Sequence, residues 1–218
     1  MNKKSVWVLC LLALAICVVS LPAMADTAYN NTLPNPSNCC VGWTTSGSGS
    51  PPGLVEDAQL FTSLTTGTVS EISVDLGFVT GDNMATVGIY TNVSGAPGTL
   101  IGSIGNLPPA PPAGGMCPAC EVSAFGTGGM LTAGNSYFLV LEADTTSWYA
   151  WDQNGNNILG QLDQNSGSGW NQFPDSLLGG MWIQTTPGGG TTPEPSSLLL
   201  LGTGLVGAFG VIRRKLNR

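Results

Sequence analysis

Ile72-Ser73-Val74-Asp75-Leu76-Gly77-Phe78 decides the fold class. Four apolar side chains alternate with Ser, Asp and Gly, the period of a strand with one face in a core and one in water. Val87 and Ile89 repeat the pattern before Tyr90. Tyr137-Phe138-Leu139-Val140-Leu141 is apolar at every position, which suits a central strand covered on both faces. Trp148-Tyr149-Ala150-Trp151 and Met181-Trp182-Ile183 are further strand candidates. Turn clusters separate these runs: Gly81-Asp82-Asn83, Ser94-Gly95-Ala96-Pro97-Gly98, Ala133-Gly134-Asn135 and Asn154-Gly155-Asn156. Short strands punctuated by Gly, Pro and Asn predict an all-β fold, an antiparallel two-sheet sandwich of jelly-roll-like form. The 31 glycines and 15 prolines of the chain fit that expectation better than long helices. Ser46–Gly53 and Pro108–Gly115 read as exposed loops.

The two ends of the 218-residue chain differ from this middle. Lys3 and Lys4 precede an apolar run from Val6 to Val19, then Pro22 and the small-residue site Ala23-Met24-Ala25. That layout predicts a signal peptide, a helix over residues 1–25, cut before Asp26 by signal peptidase after passage through the export translocon. At the other end, Pro193-Glu194-Pro195 precedes an apolar stretch from Leu198 to Ile212 and the cluster Arg213-Arg214-Lys215. Nine Leu, Val, Ile or Phe side chains in that stretch favour membrane insertion by about 3–5 kcal/mol. The expectation is a short transmembrane helix whose basic end stays cytoplasmic as a stop signal. The predicted organisation is a signal at 1–25, an N-terminal extension at 26–55, a sandwich ectodomain at 56–185, a linker at 186–192 and an anchor segment at 193–218.

All six basic residues lie in the two ends. From Asp26 to Thr192 there are 12 acidic residues and no Lys, Arg or His, a formal charge of −12. Nucleic acid is excluded as a partner, because phosphate binding needs cationic side chains. With no histidine, a triad or imidazole base is excluded too.

The tripartite tail resembles the PEP-CTERM sorting signal: Pro193, Glu194 and Pro195, then a glycine-containing apolar helix, then an Arg-rich end. That resemblance implies an exosortase as partner, with Pro193-Glu194-Pro195 as the recognised residues. It also implies a Gram-negative host, a membrane-anchored intermediate with a periplasmic domain, and a final place at the cell surface or in the matrix, tied to exopolysaccharide and biofilm. The segment Tyr90–Gly98, with Tyr137–Leu141 and Trp148–Trp151, is similar to the choice-of-anchor surface domains, a likeness that implies a surface module without a known enzymatic role.

Four cysteines remain after the signal: Cys39, Cys40, Cys117 and Cys120. In an exported chain they suggest two disulfides with three possible pairings, links between Cys39-Cys40 and the Cys117-x-x-Cys120 loop being favoured. A redox CxxC and a four-cysteine zinc site are alternatives; the first lacks a nearby cation to lower a thiol pKa, the second has poor ligand spacing. Asp152-Gln153-Asn154-Gly155-Asn156, with Asp163 eleven residues after Asp152, half-matches a calcium loop, against an Asn-Gly turn between strands. Trp43, Trp148, Trp151, Trp170 and Trp182 could stack on sugar rings or fill a core. Trp148 and Trp151 would face opposite sides of one strand. Glu142 and Asp144 could pair as hydrolytic carboxylates. No metal or cofactor is expected. The reading that emerges is a non-enzymatic structural or interaction protein, with a carbohydrate-binding module as first rival and a carboxylate hydrolase as second.

Overall fold

The computed structural model describes residues 25–34, 38–114 and 120–187, with backbone alone over 38–41. All of these belong to one unit, Met1–Gly188. The signal segment, Cys117, the sorting tail and both expected terminal helices lie outside the described residues.

Two antiparallel sheets form the unit, and no helix occurs among the described residues. The first sheet is built from β1 (Asp26–Asn30), β2 (Asn38–Ser46), β4 (Gly67–Thr80), β7 (Glu121–Phe125), β8 (Met130–Leu131), β10 (Trp148–Gln153) and β13 (Met181–Pro187). The second has the order β12-β11-β3-β9-β5-β6, from β3 (Glu56–Thr62), β5 (Ala85–Val93), β6 (Ala96–Asn106), β9 (Ser136–Ala143), β11 (Leu159–Asn165) and β12 (Trp170–Leu177). The chain passes between sheets repeatedly, so each sheet is assembled from segments distant in sequence. This is the expected all-β antiparallel sandwich. Residues 26–55 supply β1 and β2, which pair with β13 and β10.

The long β4 organises the first sheet. Its first half pairs with β13 on one side and β7 and β8 on the other, and its second half pairs with β10. Ile72, Val74 and Leu76 are fully buried toward the second sheet, and Phe78 packs against the same cluster. They meet Val87, Ile89, Leu139 and Leu141 from the second sheet, with Tyr149 and Trp151 from β10. Burial of side chains this size is worth about 1.5–3 kcal/mol each. β9 lies between β3 and β5, the central place its unbroken apolar run required. Over its described residues the Pro108–Gly115 segment is largely the exposed loop expected of its composition, and it also borders β4. Phe78 N–H donates to Pro111 O and accepts Ala113 N–H at its own carbonyl, so this segment covers the free edge of β4, with Ala110 buried. Proline lacks an N–H, but its carbonyl still satisfies an exposed strand.

Candidate functional site

The second sheet has a face turned away from the first, and alternation along its strands sets what that face carries. In β3, Asp57, Gln59 and Phe61 point into the core, so Glu56, Ala58 and Leu60 point outward. In β9, Leu139 and Leu141 point inward and Phe138, Val140 and Glu142 outward. Register then arranges the outward residues in rows across the strands. One row runs Leu60, Phe138, Tyr90, Leu100 and the next Gln172, Asp163, Ala58, Val140, Gly88. Beyond them stand Trp170 opposite Asn165, Asn165 opposite Glu56, and Glu142 opposite Thr86. Glu56 and Glu142 are the next step in register after the Asp57–Leu141 pair. Directly opposed residues hold their Cβ atoms about 4.5–5.5 Å apart, so two carboxylates face each other across neighbouring strands.

The β5–β6 hairpin crosses part of this outward face. The β5–β6 hairpin turns at Ser94 and Gly95, both at positive φ (55° and 84°), the two-residue turn that matches strand twist. Its tip reaches across to β11 and β12, where Gly95 O accepts hydrogen bonds from Gln161 Nε2 and Gln172 Nε2. The two ends of the sheet thus close over its middle, and Phe138, Val140 and Ala58 are buried beneath Leu60, Tyr90 and Trp170 as a second small core. Gly88 is a glycine for a reason: a Cβ there would meet Leu100 Cδ1 at 2.9 Å and Tyr90 Cε2 at 3.1 Å. Without it, the Tyr90 ring lies along the strand and its hydroxyl donates to Glu142 Oε1 at 3.0 Å.

Electrostatics on this face follow from burial and like charge. Burial raises the Glu56 carboxyl above its ordinary value; the hydrogen bond from Asn165 Nδ2 (2.8 Å) pulls the other way, and the Glu142 charge adds to the rise. The Tyr90 hydroxyl is pushed up to about 12, by burial first and then by Glu142 and Glu56. Asp163, fully buried under the hairpin bridge, takes a 2.7 Å hydrogen bond from Gln161 Nε2 on Oδ1, and its Oδ2 has no hydrogen-bond partner. Burial raises its carboxyl as well.

Other candidates fall elsewhere. Glu142 does not pair with Asp144. Asp144 lies past the end of β9 and closes a turn, accepting Ser147 N–H on Oδ1 at 3.0 Å. Asp152 and Gln153 end β10, and a turn from Asn154 leads into β11: Asn154 Oδ1 accepts the N–H groups of Asn156 and Ile158, and its Nδ2 donates to Ile158 O and Leu178 O. No group of three or more Cys, Asp or Glu able to hold a metal ion occurs among the described residues. Trp151 is fully buried and donates to Gly180 O, whereas Trp148 is half-buried on the opposite face. Trp43 bonds Leu177 O, and Trp182 contacts Thr27 near the edge of the first sheet. Cys120 is buried and disulfide-bonded. The side chains of Cys39 and Cys40, with Cys117, Pro193, Glu194, Pro195, Arg213, Arg214 and Lys215, lie outside the described residues.

Residues 191–215 match the model of the PEP-CTERM protein-sorting motif. No curated protein and no solved structure matches the chain.

Proposed function

We propose that this chain, the bearer of a PEP-CTERM sorting motif, is an exported protein whose all-β domain serves a structural or binding role, without catalysis, in the exopolysaccharide matrix of a Gram-negative cell. The motif marks it as targeted to an exosortase and as carrying a C-terminal sorting signal. The observation that carries the reading is the motif itself, sitting on a tail that orders Pro-Glu-Pro, an apolar stretch and a basic end. In this reading the basic residues at both ends stay cytoplasmic, and the cation-free body is translocated and then released or displayed outside. Support for a structural task comes from the makeup of the domain, which has no histidine and a formal charge of −12 that keeps it soluble and apart from other polyanions.

The test is a tagged full chain expressed in its host, with Pro193-Glu194-Pro195 replaced by Ala-Ala-Ala. The expected result is accumulation of an unprocessed form in the inner membrane and loss of the external pool. An unchanged distribution overturns the reading. The rival of a carboxylate hydrolase is separated by incubating the protein with matrix polysaccharide: new reducing ends that vanish in Glu142→Gln would favour the enzyme.

A further inference from the structure

The tip of the β5–β6 hairpin and the turn that leads into β9 stand side by side, and an open cavity of about 680 Å³ lies between them. Thr91, Asn92 and Ser94 line it on one side, Asn135 and Ser136 on the other. Small ligands occupy cavities of about 300–1,000 Å³. Both walls are fixed by bonds of the protein's own. Gly95 O accepts from Gln161 and Gln172, and Gly95 N–H donates to Asn92 Oδ1 at 2.9 Å. Across the cavity, Gly134 N–H donates to Ser63 O, Ser63 N–H to Asn135 O and Ala133 N–H to Thr66 Oγ1. The Tyr137 hydroxyl accepts Thr132 N–H at 3.0 Å, and its ring packs on Phe61 with centroids 5.9 Å apart. Walls held in this way keep their shape without a ligand, which lowers the ordering cost of binding.

The lining side chains keep unused capacity. Asn92 commits its oxygen to the turn and leaves Nδ2 free to donate. Thr91 Oγ1 accepts Thr99 N–H at 2.9 Å and retains its own proton. Among the described residues, the Ser94 hydroxyl and the Asn135 amide have no hydrogen-bond partner. The domain holds 12 acidic residues, yet none falls in Thr91–Gly98 or Thr132–Ser136. A cationic ligand finds no counter-charge in this lining, and an anionic one is repelled by the body around it. An apolar ligand would strand the amides and hydroxyls without partners. A neutral molecule dense in hydroxyls fits. An Asn amide offers a donor and an acceptor side by side, the pattern that two adjacent hydroxyls of a sugar ring require, and one such amide stands on each wall.

We propose that this cavity binds a neutral hexose unit of a polysaccharide, with Asn92 Nδ2 and the Asn135 amide bonding ring hydroxyls and Ser94 adding a third contact. The proposal names a ligand class for the matrix reading and rests on that reading for its biological setting. Binding is measured on purified protein, so a failure of export leaves the binding result untouched and a failure of binding leaves the sorting result untouched.

The purified full chain in mild detergent is titrated calorimetrically with hexamers of glucose, mannose, galactose and glucuronate. At least one neutral hexamer binds with millimolar or tighter affinity, and the glucuronate hexamer does not bind. Asn135→Ala and Asn92→Asp each weaken the binding about fivefold or more. Asn92→Asp keeps the oxygen that accepts Gly95 N–H and removes the free donor. Asn106→Ala, which deletes an exposed amide at the other end of β6, leaves binding unchanged. Thermal unfolding of each variant identifies any that fails to fold, and Asn135→Ala, whose side chain bonds nothing in the protein, carries the test in that case. Absence of binding by every neutral hexamer, equal binding of glucuronate, undiminished binding by Asn135→Ala, or an equal loss in Asn106→Ala overturns the proposal.

Discussion

Asp57 shows how much one side chain can set. It points from β3 into the space between the sheets and is fully buried. Thr45 Oγ1 donates to Oδ2 at 2.6 Å and Gln164 Nε2 donates to Oδ1 at 2.8 Å, joining β2 of the first sheet to β11 of the second. Burial outweighs both hydrogen bonds and lifts the carboxyl from 3.8 to about 7. A group whose folded pKa is raised holds its proton more tightly when folded. Its stabilising effect is therefore complete below about pH 4 and is lost as pH rises toward 7. The displacement corresponds to a loss on the order of 4 kcal/mol across that window. Urea unfolding at intervals from pH 4 to pH 8 should show stability falling as pH rises, and Asp57→Asn should flatten the fall. A wild-type profile that rises through this window contradicts the assignment. Little of this could be read from sequence. Asp57 sits in a polar stretch, Glu56-Asp57-Ala58-Gln59, with no apolar alternation to mark it as a strand. The same stretch hid the partner of Glu142. Reasoning along one strand offered Asp144 two residues away, whereas folding places Glu56 from a distant segment beside it.

At the scale of elements, the alternating runs were the legible ones. Ile72 to Phe78 lies in β4, Val87 and Ile89 in β5, Trp148 to Trp151 in β10, and Met181 to Ile183 in β13. In β10 and β13 one face enters the core while the other is half-exposed, but in β4 the polar face, Ser73 and Asp75, is buried as well, so there the alternation marks the strand and not its exposure. Less legible were β1, β2, β6, β11 and β12, because sheet edges and a curled face ask for little apolar character. β12, Trp170-Asn171-Gln172-Phe173-Pro174, presents mostly exposed side chains and is held by pairing to β11. The pattern of β9 carried more than its central position. Phe138 and Val140 on its outer face are as buried as Leu139 and Leu141 on its inner one, because the β5–β6 hairpin and β12 close over them. Phe138→Ala should therefore cost about 3–5 kcal/mol, comparable with loss of a core aromatic between the sheets. A shift in the urea midpoint equivalent to less than about 1 kcal/mol would show that the second small core does not hold the curl of the sheet.

The whole molecule is shaped by a single asymmetry of charge. With no cation from Asp26 to Thr192, the domain forms no side-chain ion pair of its own, and its acids repel one another. Salt can then only relieve repulsion. The unfolding temperature of the full chain should climb steadily from low ionic strength to about 0.5 M sodium chloride, where charges beyond roughly 4–5 Å are screened. A fall over that range would mean that attractive pairs had been lost. The same asymmetry separates body from tail. The acidic β domain is built to stand in water, and positive charge is confined to the ends that flank apolar segments.

The central claim is that this tail is a sorting signal that is read and removed. Mass spectrometry of the protein recovered from outside its host cell tests this most directly. Peptides should begin at Asp26, and none should extend into the apolar stretch from Leu198 to Ile212. External protein that still carries that stretch through to Arg213-Arg214-Lys215 would contradict the account.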